Sequence, residues 1–169
     1  MTKNLLLAIC LFVSFNLTAQ IQVSKIIGKT SKDYGTGYGG YLKVSHPISE
    51  AADVTVEIGA NVFSLKENPA YGWAVVPIKA GYRYTINQTG TGFYIEPQVG
   101  YNVYGIDPND MKYTGLILAA GAGYLFKPIG NIKFDLGLLF ESAMHKGGPL
   151  NYLSVRLAHN FSIGGRDSE

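Results

Sequence analysis

Residues 92–105 read GFYIEPQVGYNVYG, from Gly92 to Gly105, and hold two sequences interleaved. Phe93, Ile95, Pro97, Val99, Tyr101 and Val103 take one set of alternate positions; Tyr94, Glu96, Gln98, Gly100, Asn102 and Tyr104 take the other. A period of two marks a β-strand whose faces meet different surroundings. With the apolar face turned inward the chain is a water-soluble barrel or sandwich. With that face turned outward, its solvent is lipid.

Composition leans toward lipid. The 169 residues suit one domain with a real core or a small barrel. Only 15% are charged, against roughly a quarter in soluble domains. Gly (21) and Tyr (12) are abundant, and the net charge is +2 with no Lys/Arg run, which argues against a nucleic-acid partner.

The chain opens MTKNLLLAICLFVSFNLTAQ. Lys3, the apolar run Leu5 to Leu17 and the exit Thr18-Ala19-Gln20 have the form of a cleavable helical signal peptide over residues 1–20, cut near Ala19 or Gln20. The run falls short of the ~20 residues of a spanning helix, and nothing later in the chain is long enough. Cys10, the only cysteine, lies inside the leader, so the exported chain has neither disulfides nor cysteine metal sites. Any membrane crossing then falls to strands.

Turn-rich clusters divide residues 21–162 into eight alternating runs: 21–28, 36–46, 53–65, 71–86, 91–105, 112–127, 131–142 and 150–162. A polar tail, 163–169, follows. Short connections make neighbours antiparallel, and an even number closes into an up-and-down barrel with both ends on one side. The expected fold is all-β: an eight-stranded antiparallel up-and-down transmembrane β-barrel.

Sorting by parity yields one face nearly free of charge, including Leu42, Val56, Ile58, Ile78, Val99, Leu118, Leu136, Leu138, Val155 and Leu157. The other carries Lys43, Glu57, Asn61, Lys79, Arg83, Glu96, Gln98, Asn102, Lys133, Asp135, Glu141, Arg156 and Asn160. As the coat of a soluble, lipocalin-like barrel, that second face would be a poor one, mostly Gly, Ala, Tyr and scattered charges. As a lumen its near-neutrality is what a low-dielectric interior needs. Turning those charges toward lipid would cost on the order of 10 kcal/mol, a whole folding free energy. Lys43, Glu57, Lys79, Arg83, Glu96, Asp135, Glu141 and Arg156 are therefore expected to form an ion-pair network inside the barrel.

Outward aromatics gather at the rim shared by both termini: Tyr82, Tyr84, Phe93, Tyr124, Phe126, Phe134 and Phe161. A headgroup-level girdle accounts for them. Two features interrupt the pattern. Pro77 and Pro97 fall in mid-strand and each removes a ladder donor, so both are expected at bulges. Lys25 shares parity with Val23 and Ile27, which calls for a bulge or a shorter first strand.

The blocks VVPIKAGYRY, GFYIEPQVGYNVYG, GAGYLF and LNYLSVRLAHNF, in this order and spacing, resemble the small eight-stranded outer-membrane β-barrels of the OmpA/OmpX type, often called "porin family". The resemblance spans the mature chain and implies insertion into the bacterial outer membrane. It also implies that the last strand ends on an aromatic read by the barrel-insertion machinery, a role Phe161 would fill, although eight residues follow it.

Other motifs carry less. Gly35-Thr-Gly37-Tyr-Gly-Gly40 matches a nucleotide-binding pattern by letter, but a strand follows where a helix is needed. His46 is read in a turn, His145 in the last outer loop and His159 near the aromatic rim, without metal-ligand spacing. Asp107-Pro-Asn-Asp110 lacks the glycine and terminal Glu of a calcium loop. Glu141, Ser142 and His145 are the best catalytic grouping available, and their spacing alone does not make them converge.

The reading is a non-enzymatic integral outer-membrane barrel with a side-chain-filled, ion-paired lumen, in a structural or surface-interaction role. A narrow solute channel and a lipid A-modifying enzyme are the alternatives. Expected partners are outer-membrane lipid, including lipopolysaccharide, and the insertion machinery. No cofactor or metal is expected, and the chain is expected to be a monomer.

Overall fold

Alternation of apolar and polar side chains carries the chain through eight strands: β1 Asn16–Ile26, β2 Tyr34–Pro47, β3 Ala52–Leu65, β4 Gly72–Thr85, β5 Gly92–Ile106, β6 Lys112–Leu125, β7 Lys133–His145 and β8 Gly148–Ser162. The computed structural model describes residues 16–87, 90–106, 112–127, 133–146 and 148–162. Residues 1–15, which hold most of the expected leader, the Asp107–Asp110 segment, the tail 163–169 and the side chains of Lys133, Asn160 and Phe161 lie outside the described residues.

Each strand pairs antiparallel with the next, and β8 pairs with β1, so the sheet is a closed barrel with no edge. The stagger can be read from the register. Partners run from Asn16 to Ser45, Thr55, Gly81, Gln98, Ala119, Glu141, Tyr152 and back to β1 at Ile26, ten residues beyond the start. With eight strands this shear tilts the strands by roughly 40° and sets a radius of about 8 Å, enough for side chains to fill and no more. The proximal rim holds both ends of the barrel, and the distal rim holds the β1–β2, β3–β4, β5–β6 and β7–β8 connections.

Three departures from regular register occur, between Tyr34 and Gly37, Val76 and Pro77, and Asn102 and Gly105. All lie toward the distal end of their strands. Pro77 thus stands at a bulge. Pro97 does not: Gly81↔Gln98 and Tyr84↔Ile95 keep one register on either side of it, and it pairs with Ala120 on the other flank. A rung is skipped without an inserted residue, because the missing donor faces β4 only.

The first strand also differs from expectation. It begins at Asn16 rather than residue 21 and pairs with β2 from Asn16↔Ser45 to Lys25↔Thr36 with no bulge. Thr18, Gln20, Gln22 and Ser24 are buried, while Ile21 and Val23 are exposed. Lys25 keeps the outward parity and is accommodated by its length: its Nζ donates to the carbonyls of Tyr34 (2.8 Å) and Gly35 (3.3 Å). The Gly35–Gly40 run lies within β2. A methyl group on Gly37 would collide with the Phe63 ring, so the glycine makes room for that ring in the lumen. His46 and His145 lie in β2 and β7 rather than in a turn and a loop.

Candidate functional site

The interior is built from side chains of one parity, and among the described residues its buried charges balance. Lys43, Lys79, Arg83 and Arg156 face Glu57, Glu96, Asp135 and Glu141, all buried. They join into one string of alternating sign. Glu141 meets Lys79, whose Nζ lies 2.9 Å from Glu57. Glu57 also takes Arg156 at 2.8 Å and Lys43 at 3.5 Å. Lys43 bonds both oxygens of Glu96, at 2.8 and 2.9 Å. Arg83 donates to Glu96 through Nε (3.2 Å) and Nη2 (3.1 Å), and through Nη2 to Asp135 at 3.0 Å. The string crosses the lumen between residues far apart in sequence, so only the closed barrel assembles it.

Neutral groups take up many of the remaining lone pairs and protons, while Arg156 Nε and the Gln20 amide are buried without a hydrogen-bond partner. Tyr94 donates to Asp135 (2.7 Å), Thr55 and Gln98 donate to Glu96 (2.8 and 3.0 Å), and Gln22 donates to Glu141 (3.1 Å) while accepting from Arg156. The Arg83 guanidinium stacks 4.3 Å from the centre of the Tyr94 ring, and Lys79 and Arg156 flank Tyr41. Buried charges this well partnered avoid the desolvation penalty of isolated ones, though an apolar filling would be no less stable.

Toward the distal rim the lumen changes character. Ile26, Tyr34, Phe63, Trp73, Val75, Ile117, Ala143, Leu150 and Tyr152 form one buried apolar cluster, with Leu65 against it. Phe63 and Tyr152 meet edge to face at 5.1 Å, and the Trp73 indole N–H donates to the Tyr34 hydroxyl at 2.9 Å. This cap was not read from the sequence. Its signal was present: Trp73 and Val75 continue the inward parity of Lys79, and Phe63 that of Asn61.

The outer face is a belt of exposed aliphatic side chains, among them Ile21, Leu42, Val56, Ile58, Val99, Leu118, Leu138 and Val155. At its proximal edge Phe93 is 63% exposed, with Tyr82, Phe126 and Phe134 also exposed and Tyr84 and Tyr124 half-buried. Phe93, Tyr124 and Phe126 stack edge to face in sequence, at 4.9 and 5.0 Å, and Phe134 packs on His159 at 5.6 Å. Outward aromatics are not confined to that rim. Tyr38, Tyr101 and Tyr104 are exposed toward the distal side, and the Tyr101 hydroxyl donates to Thr114 at 3.2 Å.

The possible catalytic grouping is not assembled. Glu141 points into the lumen and is held by Lys79, the next residue, Ser142, has outward parity, and the His145 ring packs on Trp73 at 4.8 Å. Among the described residues no group of three or more His, Cys, Asp or Glu side chains is placed to hold a metal ion.

No protein-family model and no curated relative matches the chain. Solved structures do match in fold. Neisserial surface protein A aligns with a TM-score of 0.70 at 13% identity, covering 88% of this chain and 97% of that one. Ail, the attachment invasion locus protein of Yersinia pestis, aligns at 0.56 and 15% identity, covering 88% and 99%. The outer membrane protein OprG from Pseudomonas aeruginosa aligns at 0.51 and 10%, covering 89% and 97%. The chain has the fold of the small eight-stranded outer-membrane β-barrels.

Proposed function

We propose that this protein is an integral barrel of the bacterial outer membrane with a closed lumen, acting through its surface rather than as an enzyme or a solute channel. One observation carries the reading. Among the described residues, the two parities of the same strands are sorted into an apolar belt outside and four buried cations with four buried carboxylates inside. Water on the outside would leave the belt without a solvent it favours, because exposed apolar patches on soluble monomers are far smaller. Lipid satisfies it.

The surrounding lipid, lipopolysaccharide included, is then its constant partner, and the insertion machinery its partner during assembly. Closure without an exposed edge suits a monomer. The aromatics at the proximal edge serve as the headgroup girdle on the side of the termini. A leader cut near Ala19 or Gln20 would take the first residues of β1, Asn16 to Ala19, with it and leave the strand from there onward to close the barrel. The short distal connections limit the surface role to contacts made by the rim itself.

Heat-modifiable gel migration of the outer-membrane fraction, joined with single-channel recording in planar bilayers, tests this reading. The expected result is a band that shifts on boiling and bilayers that stay silent. An unshifted band from a periplasmic extract would remove the membrane reading, and discrete conductance steps would replace the closed lumen with a channel.

A further inference from the structure

The eight buried charges of the lumen are all paired, but four lysines on one corner of the distal rim are not. Lys29 and Lys32 belong to the 3-10 turn Lys29–Lys32 between β1 and β2, Lys66 follows β3, and Lys25 stands on the outward face of β1 beyond Ile21 and Val23. All four are exposed, and among the described residues none has a carboxylate within ion-pair distance. Asp33 and Glu67 share the corner, also without ion-pair partners, which leaves it with a cationic excess. At the proximal rim, Glu50 and Asp53 outnumber Lys127 among the described residues.

The corner is also organised. Lys66 Nζ donates to the Lys32 carbonyl at 2.7 Å, and its backbone N–H to the Asp33 carbonyl at 2.9 Å, tying the two loops together. The stem of Lys25 runs along the apolar wall and its ammonium is lifted to the Tyr34 and Gly35 carbonyls. That is the posture of a cation rooted in hydrocarbon with its head at the polar boundary. Each ammonium has three donors, and those of Lys25 and Lys66 are only partly engaged by neutral carbonyls.

We infer that this corner binds the phosphate groups of lipid headgroups in the leaflet around the distal rim, an inference that rests on the outer-membrane reading above. Phosphate suits the site because lysine recognises it as a point charge, without the planar fork that arginine would offer. A lipid source is favoured over a soluble one because Lys25 is anchored on the lipid-facing wall and not on a loop tip.

The test uses the full chain folded in phosphatidylcholine nanodiscs carrying a small fraction of bisphosphorylated lipid A or of its dephosphorylated form, with retained lipid counted by native mass spectrometry. The phosphorylated form should be retained preferentially, and the preference should fall about fivefold for each lysine replaced in the K25Q, K29Q, K32Q, K66Q series. Lys127→Gln should leave it unchanged, and Lys→Arg at the four positions should preserve it. Equal retention of both lipids, or a preference that survives the fourfold Gln variant, overturns the inference. So does binding of soluble inositol hexakisphosphate to the detergent-solubilised barrel as tight as that of the lipid, since the occupant would then be a free anion. Heat-modifiable migration of the same samples separates the two readings: a shifted band with no lipid preference overturns this inference alone.

Discussion

Arg156 grips Glu57 across the closure of the barrel, with Nη1 2.8 Å from one carboxylate oxygen and Nη2 3.2 Å from the other. The two lie on β8 and β3, and the contact exists only because β8 pairs with β1. Glu57 also faces Lys43 and Lys79, so among the described residues it is the one carboxylate shared by three cations.

Replacing that carboxylate alone is therefore expected to be severe. Glu57→Leu strands Arg156 and weakens the hold on two lysines, and should cost about 3–5 kcal/mol. Adding Arg156→Met should recover much of the loss, because Lys79 keeps Glu141 and Lys43 keeps Glu96. Urea unfolding in vesicles, followed by gel mobility, measures both. A double variant no better than the single one would mean the string does not work by local charge balance.

The apolar cap is expected to be the seal. Phe63→Ala with Trp73→Ala empties the distal lumen of two of its aromatic rings, at about 3–5 kcal/mol each when truncated singly. If the folded double variant conducts in planar bilayers while the parent is silent, the cap closes the pore. Silence in both would place the block in the ion string below.

Gly123, beside a lumenal ring, should be intolerant of a side chain, and Gly40, on the outer wall, should not. A methyl on Gly123 would stand 2.5 Å from the Tyr94 hydroxyl and 2.6 Å from the Leu136 carbonyl oxygen, whereas at Gly40 the nearest atom, the Gln20 carbonyl oxygen, is 4.0 Å away. Gly123→Ala should cost about 1–3 kcal/mol by overpacking; Gly40→Ala should change stability by no more than about 0.5 kcal/mol. Equal effects in the unfolding assay would count against the packing around Tyr94.

Most of this arrangement was legible in the chain, because a side-chain period of two with opposite solvents on the two faces leaves one assignment. Strands β2 to β8 differ from their sequence limits by no more than three residues at either end. The rest was hidden for separate reasons. At Leu17–Gln20 the alternation of β1 coincides with the small polar exit of a leader, so one stretch satisfies two rules. The cap escaped because the faces were sorted by charge, which left uncharged inward rings such as Phe63 and Trp73 unnoticed. Pro97 shows that a missing donor demands a lost rung and not an extra residue.

A charge on the belt should be penalised by depth. Leu138→Arg, midway along β7, should destabilise the barrel by about 2–4 kcal/mol in lipid, and Phe134→Arg at the proximal edge by about 0–1 kcal/mol. Unfolding in phosphatidylcholine vesicles gives both values. Matching small costs would indicate that no hydrocarbon surrounds the strands.

The contact between the outer wall and hydrocarbon is measured most directly by spin labels at Val56, Leu118 and Leu136, placed one at a time in a chain with Cys10 replaced by serine and reconstituted in bilayers. Lipid around the strands requires each label to collide freely with dissolved oxygen and hardly at all with a water-soluble nickel chelate. Labels open to nickel and shielded from oxygen would put water outside the wall, and the barrel could not be a membrane-spanning one.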